Sequence, residues 1–390
     1  MYVLSCYSCG EVFKDWGFAF QCPHGCNSLV HTKYPGKFSP KGEGLRRYSF
    51  WMPFEVDGDL PVLVKSEEFS EITDAEVFFV VHAYWPEMGV RLKTCSFKEV
   101  EALSSLRYSE NFAEAIALAS VGNTANAFIE HAKKFDIKVY LFVPEKVFSD
   151  LFEIERSENV TVVKVKGSYD DAQKFARMFS EKKRCKFEGG GRNFARRDAL
   201  ATSCYVYFEK FKEMPDYYVQ PIGSGTGVVA FYEGYRRISE EFNVKKPKII
   251  VVQNEPFTPV VDAWKKRSRE INSYEDPLDK LYAKVLSNRN PLYGMKGGLY
   301  DILSDTEGEA IGISEAEAKR VGKIFKKEFG ISLHPAAEVG LAALEKINAK
   351  GKILVNITGA GLDRLKKDYK LRKVKEDFVI SSEDDLEMIE

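Results

Sequence analysis

Short apolar runs rich in β-branched residues alternate with amphipathic stretches along most of this 390-residue chain. The apolar runs lie at 75–85, 137–147, 160–167, 247–255 and 351–361. Amphipathic stretches such as 123–135 and 169–184 separate them and are typical of surface helices. Strands that alternate with helices form a parallel sheet covered by helices. The pattern therefore predicts an α/β protein.

Four of the seven cysteines lie near the amino terminus in the spacing C-x2-C-x12-C-x3-C: Cys6, Cys9, Cys22 and Cys26. Two close thiol pairs can hold a tetrahedral zinc ion, and a unit of about thirty residues is too small to fold without such a staple. The second pair is wider than C-x2-C, so the metal-free alternative stays open. In that alternative the cysteines are packed on the main body without a metal ion. His24 lies among them as a further candidate ligand. An odd total of seven cysteines, four of them clustered, favours a reducing compartment over a disulfide framework.

The charge balance excludes some classes of partner. Lysine plus arginine number 57 and aspartate plus glutamate 58, so the basic excess typical of nucleic-acid or membrane binding is missing. No apolar run approaches the roughly 18–20 residues that cross a bilayer, and the first residues do not have the pattern of a signal peptide. We expect a cytoplasmic protein. The irregular stretch 255–310 is expected to cover a site, and the acidic tail 381–390 to be a solvated end.

Ligands of open parallel sheets bind beyond the carboxyl ends of the strands, where loops lead into helices. Three such loops are unusual: 94–98 (TCSFK), 118–128 (LASVGNTANAF) and 220–235 (QPIGSGTGVVAFYEGY). The simplest interpretation of the first is a helix start with Thr94 or Ser96 as N-cap. It also offers Lys98 as a nucleophilic amine.

The third loop contains Gly223, Ser224, Gly225, Thr226 and Gly227. Glycines let backbone N–H groups crowd around an anion, and a following helix N-terminus adds positive potential. The loop is neither a Walker A motif nor G-x-G-x-x-G. A lysine for an aldehyde, a polar loop for a hydroxyl and a glycine loop for a phosphate are together what pyridoxal phosphate requires.

Four segments resemble motifs of the threonine synthases, in the same order: TCSFK (94–98), ASVGNTA (119–125), PIGSGTG (221–227) and NITGAGLDR (356–364). The cysteine unit also has a counterpart in many of these enzymes, so the resemblance spans nearly the whole chain. It implies the fold type II of pyridoxal phosphate enzymes, the tryptophan synthase β type, with two open twisted parallel-sheet domains. The implied division is a cysteine unit at 1–35, a large cofactor-binding domain at 36–105 and 201–390, and a small α/β domain at 106–200.

The resemblance also implies roles for residues. Lys98 forms the Schiff base with pyridoxal phosphate and is the catalytic acid and base. Asn123 hydrogen-bonds the phenolic oxygen of the cofactor, Gly223 to Gly227 hold its phosphate, and Thr358 faces its ring nitrogen. A hydroxyl at that nitrogen leaves the pyridine unprotonated, which suits β-elimination and replacement.

Around Lys98 the chain departs from the threonine synthases, which have Gly in place of Cys95 and Asp-Arg in place of Glu99 and Val100. We interpret Cys95 as a small packing residue. The segment HAYWPEMGVRLKTCSFKEVEA (82–102) resembles instead the archaeal cysteate synthases, as do the segments 188–200 and 290–301. This resemblance implies a transferase that makes L-cysteate from O-phospho-L-serine and sulfite, for coenzyme M synthesis.

The leaving phosphate and the incoming sulfite are both oxyanions and require fixed cations, preferably arginine. Lys93 and Arg192 are the leading candidates, before Arg91, Arg196 and Arg197, and each has an alternative interpretation as a solvated surface charge. We expect the loop at 120–124 to bind the substrate carboxylate through backbone N–H groups. The predicted substrate-binding residues are thus Lys93, Thr94, Ser96, Ser120, Gly122, Thr124 and Arg192.

Other functions stay open at this point. One is a threonine synthase acting on O-phosphohomoserine, and another a phosphoserine-dependent cysteine synthase that uses sulfide. A third, a zinc-ribbon binding protein on an inactive fold, is disfavoured by the intact Lys98, Asn123 and glycine loop. The expected partners are small-molecule substrates and further copies of the chain, and neither nucleic acid nor membrane.

Overall fold

Residues 2–389 are described by a computed structural model; residues 1 and 390, the outer limits of the predicted domains, lie outside it. The strands in this range are β1 (Val3–Cys6), β2 (Val12–Phe13), β3 (Val30–Lys33), β4 (Val62–Ser66), β5 (Glu76–Trp85), β6 (Val90–Arg91), β7 (Ala115–Ala119), β8 (Lys138–Pro144), β9 (Phe152–Glu153), β10 (Val160–Val165), β11 (Lys186–Phe187), β12 (Tyr217–Pro221), β13 (Lys248–Asn254), β14 (Glu309–Ile313), β15 (Lys352–Ala360), β16 (Arg372–Lys373) and β17 (Phe378–Ile380). The helices are α1 (Glu67–Thr73), α2 (Lys98–Glu110), α3 (Asn123–His131), α4 (Glu145–Phe148), α5 (Tyr169–Lys182), α6 (Phe194–Leu200), α7 (Thr202–Phe211), α8 (Thr226–Glu241), α9 (Pro259–Lys265), α10 (Leu299–Asp305), α11 (Glu315–Phe329), α12 (Pro335–Ala342) and α13 (Leu362–Asp368).

The larger sheet has the strand order β14-β13-β12-β15-β5-β4, with the short β6 paired to β5. All pairs from β14 to β5 are parallel, and β4 and β6 are antiparallel to β5. The central strands β5 and β15 are buried almost throughout, because helices cover both faces of the sheet. This burial explains their continuous apolar runs, from which the sequence pattern predicted both strands.

The smaller sheet is parallel throughout, in the order β11-β7-β8-β10-β17. Its edge strand β17 comes from the carboxyl-terminal segment, in which Phe378 pairs with Val163. The predicted boundary, which gave all of 201–390 to the large domain, is therefore wrong for this last segment. The prediction of a solvated tail is right only in part: residues 381–384, 387 and 388 are exposed, but Leu386 and Ile389 are buried in the core of the smaller sheet.

The cysteine unit contains the three-stranded antiparallel sheet β2-β1-β3. Leu4 and Phe20 of this unit pack with Tyr108 of α2 and Phe194 of α6 in one apolar cluster. The unit is therefore fixed to the helices that border the space between the two larger sheets. Across residues 2–389, every helix is too short or too polar to span a membrane.

Candidate active site

A cavity of about 340 Å³ lies between the two larger sheets, at the carboxyl ends of β7, β12 and β15. This is where open parallel sheets place their ligands. The residues predicted to hold the cofactor all line it: Lys98, Asn123, Gly223, Ser224, Gly225, Thr226, Gly227 and Thr358. The irregular stretch covers this site as expected, since six of its residues line the cavity: Val285, Leu286, Asn288, Asn290, Leu292 and Met295.

Lys98 is the first residue of α2, and its position is set by the end of β15. The N–H of the preceding Phe97 donates to the Thr358 carbonyl at 3.0 Å, and the Lys98 N–H donates to Ser96 Oγ at 3.3 Å. Phe97 occupies the N-cap position and has no capping side chain. The prediction of Thr94 or Ser96 as N-cap is therefore wrong, because main-chain bonding to β15 anchors this turn.

Cys95 gives the turn its shape. Its φ of 53° lies in the left-handed region that favours glycine, the residue of threonine synthases at this position. Its side chain is fully buried, and burial raises the pKa of the thiol well above its usual range. This environment agrees with a packing residue and not with a reactive thiolate.

The Lys98 side chain belongs to a buried network of alternating charges. Nζ lies 2.9 Å from Glu101 Oε2, and Glu101 Oε1 lies 2.7 Å from Arg196 Nη1. The Thr124 hydroxyl donates to the same carboxylate at 3.3 Å. Arg196 in turn donates to Glu188 through Nε at 2.6 Å. Two cations and two carboxylates thus balance, and both carboxylates are fully buried.

The loop between β7 and α3 is organised by Ser120. Its Oγ accepts from the Gly122 N–H at 3.2 Å and from the first turn of α3 at 2.9 Å. Gly122 has a φ of 145°, which only glycine adopts easily. The N–H groups of Val121, Asn123 and Thr124 form no hydrogen bond within residues 2–389. They are the free donors of this loop.

The glycine loop between β12 and α8 has no room for a side chain at two of its glycines. A Cβ at Gly227 would lie 2.2 Å from Gln220 Nε2, and one at Gly225, whose φ is 82°, 2.6 Å from Leu299 Cδ1. In the described chain, the N–H groups of Gly223 and Gly225 bond to no other group. With the N-terminus of α8 behind them, these donors form a cradle that fits a phosphate.

Two side chains of the cavity also lack partners. The Thr358 hydroxyl and the Asn123 amide form no hydrogen bond with any described residue, although both line the cavity. Polar groups that line a cavity are usually paired, so these two are available to a ligand. The residues present therefore fit pyridoxal phosphate: an amine, a phosphate cradle, and separate polar groups for its two remaining polar positions.

Comparison with known proteins agrees with this geometry. Residues 62–359 match the family described as pyridoxal-phosphate dependent enzymes. Over 410 residues the chain is 34% identical to the cysteate synthase of Methanospirillum hungatei, covering 100% of this chain and 96% of the relative. The chain belongs to the cysteate synthase family. The cysteate synthase of Methanocella paludicola is 36% identical, over 96% of this chain and 93% of the relative. That of Methanosphaerula palustris is 38% identical, over 95% of this chain and 92% of the relative.

Solved structures confirm the fold of this cysteate synthase family member. Maize serine racemase aligns with a TM-score of 0.61 at 14% identity, over 79% of this chain and 91% of the racemase. Diaminopropionate ammonia lyase of Escherichia coli aligns with a TM-score of 0.62 at 13% identity, over 86% of this chain and 93% of the lyase. The predicted fold type II architecture is confirmed, and pyridoxal phosphate is the cofactor of the family.

The arginines predicted to serve the oxyanions have different surroundings. Arg196 lines the cavity but is neutralised in the buried network. Arg197 is fully buried and lies 3.0 Å from Glu233. Arg91 is exposed on β6, outside the cavity. Arg192 lines the cavity and forms no ion pair within the described chain.

Three other predicted substrate residues do not line the cavity. Lys93 Nζ lies 3.5 Å from Glu130 Oε1, and Thr94 is buried with its hydroxyl donating to Glu99 at 3.0 Å. Ser96 is buried in the turn before α2. Their roles in substrate binding stay predictions, as do those of the loop residues Ser120, Gly122 and Thr124, which do line the cavity.

Sequence reasoning missed one wall of the cavity. Tyr169, Gln173 and Arg177 of α5 line it. They are four residues apart and so lie on one face of the helix. Their four-residue spacing indicates a shared polar face of the helix. Such a face is equally typical of a helix that meets solvent, so the spacing alone does not predict a cavity wall. Glu101 and Glu188 were also missed, although Glu101 is three residues after Lys98.

The four cysteines of the amino-terminal unit are brought together as expected. Each offers its sulfur atom, and the four atoms lie within 4.8 Å of one another. Cys9 Sγ and Cys22 Sγ are 3.6 Å apart, near the roughly 3.8 Å between sulfur ligands that bind tetrahedral zinc at about 2.3 Å. His24 Nδ1 is 3.9 Å from Cys9 Sγ, at the margin of the cluster.

Proposed function

We propose that this protein converts O-phospho-L-serine and sulfite into L-cysteate and phosphate, a β-replacement. The observation that carries the proposal is the similarity to cysteate synthases, 34–38% identical over nearly the whole chain. The cavity supports it, since Lys98, the phosphate cradle and an arginine without a counter-ion line one space.

Bound pyridoxal phosphate withdraws electrons from the substrate Cα, which acidifies the Cα proton and eases loss of phosphate from Cβ. Lys98 Nζ is the base that removes this proton and the acid that returns it. Between these transfers the amine carries a positive charge. Glu101, 2.9 Å from Nζ, is placed to stabilise that charge, and Arg196 keeps the carboxylate in position.

The free donors define how the amino acid and the cofactor are oriented. The N–H groups of Val121, Asn123 and Thr124 lie at the start of α3 and bind the substrate carboxylate there. The Asn123 amide binds the phenolic oxygen of the cofactor, the cradle after β12 its phosphate, and the Thr358 hydroxyl its ring nitrogen. Ser120 acts through its hydrogen bonds within the loop, as a positioning residue.

The full-length relatives favour cysteate synthesis over the two alternative reactions. The test is a comparison of kcat/KM for two amino acids and two nucleophiles: phosphoserine or O-phosphohomoserine, with sulfite or sulfide. We expect phosphoserine with sulfite to give the highest value, with cysteate identified by mass. Higher turnover of O-phosphohomoserine would indicate a threonine synthase, and preference for sulfide a cysteine synthase.

We also propose that Cys6, Cys9, Cys22 and Cys26 bind a structural zinc ion. The support is the mutual approach of their sulfur atoms within 4.8 Å and the small size of the unit, which needs a staple to fold. Because Phe20 and Leu4 fix the unit to α2 and α6, zinc would stabilise the border of the cavity as well as the unit itself.

The protein is further proposed to be a cytoplasmic homo-oligomer. Clustered thiols in place of disulfides favour a reducing compartment, and the resemblance to fold type II enzymes favours self-association. Sedimentation of the purified protein tests the second point, since a monomer at all concentrations would contradict it.

A further inference from the structure

Two arginines at the border of the cavity form no ion pair with a carboxylate of the described chain. Arg177 of α5 and Arg192, in the turn that follows β11, both line the cavity. Neither forms an ion pair with any residue from 2 to 389, in contrast to Arg196 and Arg197. Cations without partners that face a cavity are suited to an anionic ligand.

Both side chains are held in place by other contacts. The Arg177 guanidinium lies 4.0 Å from the centroid of the Phe187 ring, and Arg192 Nη1 donates to the Ser28 carbonyl at 3.4 Å. Burial, and then the positive charges of Arg177 and Arg197, lower the pKa of Arg192. Because Arg177 and Arg192 line the same two cavities, an anion bound at this border would offset both positive charges.

We infer that Arg177 and Arg192 form one oxyanion subsite, which holds the phosphate group of the substrate and afterwards the sulfite. This inference rests on the proposed function. The Cβ–O bond of phosphoserine breaks and its electron pair leaves with the phosphate. The sulfur lone pair of sulfite then forms a C–S bond to the same carbon, while Cα loses one proton and regains one. The two dianions have similar charge and oxygen geometry, so one subsite can serve both in turn.

The position of the pair supports this exchange. Arg177, Phe187, Gly189 and Arg192 also line a second cavity of about 440 Å³, whose other wall is formed by residues 16–23 of the cysteine unit. The arginines thus stand where the two cavities meet. Phosphate can leave and sulfite can arrive through the second cavity, while the amino acid stays bound between α3 and Lys98.

Steady-state kinetics of the holoenzyme test the subsite. In Arg177→Gln and in Arg192→Gln we expect the KM values for phosphoserine and for sulfite both to rise about tenfold to a hundredfold, the loss typical of a charge-assisted hydrogen bond. Inhibition by phosphate, competitive with sulfite in the wild type, should weaken by a similar factor. Arg177→Lys should recover part of each loss. Arg184→Gln is the matched control, because Arg184 is exposed, unpaired and outside both cavities.

The subsite would be overturned if each variant had the same KM as the wild type for phosphoserine and the same KM as the wild type for sulfite. A KM that rises for phosphoserine alone, or for sulfite alone, would show that the two arginines serve only that anion, and would overturn the shared use of the subsite. Calorimetric binding of sulfate, an unreactive dianion, separates the subsite from the reaction. If the wild type binds sulfate and the variants do not, but no cysteate forms, the subsite is supported and the proposed function fails.

Discussion

Lys98 Nζ lies 2.9 Å from Glu101 Oε2, one turn further along α2, and Glu101 is fully buried. A carboxylate without solvent is stable only when it is paired, and Arg196 supplies a second cation at 2.7 Å. The amine of Lys98 is thus held by the same network that fixes α6 to α2. The network connects the reactive residue to the packing of the domains.

Replacing Glu101 with Gln should destabilise the protein by about 3 kcal/mol, because it leaves Arg196 and Lys98 with unbalanced charge in a buried place. Urea unfolding measures this effect. Glu315→Gln, which removes a surface ion pair with Lys319, should change stability by less than about 1 kcal/mol. If both variants lose equally little free energy of unfolding, the buried network makes no net contribution to stability. In the double variant Glu101→Gln, Arg196→Gln, the loss should differ from the sum of the losses of the two single variants.

Alanine at Gly225 should weaken the binding of pyridoxal phosphate at least about tenfold, since a Cβ there would displace Leu299 and distort the phosphate cradle. Gly330→Ala is a matched control: Gly330 has a φ of 77°, close to the 82° of Gly225, but open space around it and a position at the end of α11. Both variants should lose stability through left-handed strain. Equal cofactor affinity in both would argue against the cradle.

Metal analysis of the purified protein should find about one zinc ion per chain, and none in Cys22→Ser. Cys185→Ser, at a cysteine outside the cluster, should keep its zinc. Because the cysteine unit packs against α2 and α6, removal of zinc by a chelator should also lower the thermal midpoint of unfolding. A wild-type protein without metal, with an unchanged midpoint in Cys22→Ser, would contradict the zinc proposal.

Three histidines with a lowered pKa predict a loss of stability in acid. Burial lowers the pKa of His31 and of His82 to about 3, and that of His334 to about 4, where Asp363 acts in the opposite direction. In the unfolded chain all three protonate near their usual pKa of about 6.5. Their contribution is therefore complete above pH 6.5 and falls by about 1.4 kcal/mol per histidine and pH unit below it. Urea midpoints measured from pH 7.5 to 5 should show this slope, and His82→Gln should reduce it; an unchanged slope would refute the assignment.

Much of the fold could be predicted because its strands are buried on both faces. A strand such as β15 must then be apolar along its length, and this signal is local. The binding loops could also be predicted, since the glycines after β12 are required by contacts that leave no space for a Cβ. Their arrangement in one cavity followed from the carboxyl-end rule for parallel sheets.

What could not be predicted depends on orientation and on distant pairing. Thr94 and Lys93 are near Lys98 in sequence, but the left-handed Cys95 turns the chain between them, and both side chains contact other residues. Arg177 is on a helix whose polar face has the same pattern as that of a solvated surface helix. The pairing of β17 with β10 joins segments more than 200 residues apart, and no local pattern specifies it.

The reaction itself is the central claim, and isotope-labelled sulfite tests it most directly. Holoenzyme is incubated with phosphoserine and labelled sulfite, and labelled cysteate and free phosphate are measured together, in the wild type and in Lys98→Ala. We predict that both products form in equal amounts in the wild type. In the variant, turnover should fall by at least about a thousandfold, because the base and the attachment point of the cofactor are lost. Phosphate release without labelled cysteate, or undiminished synthesis in Lys98→Ala, would contradict the proposal.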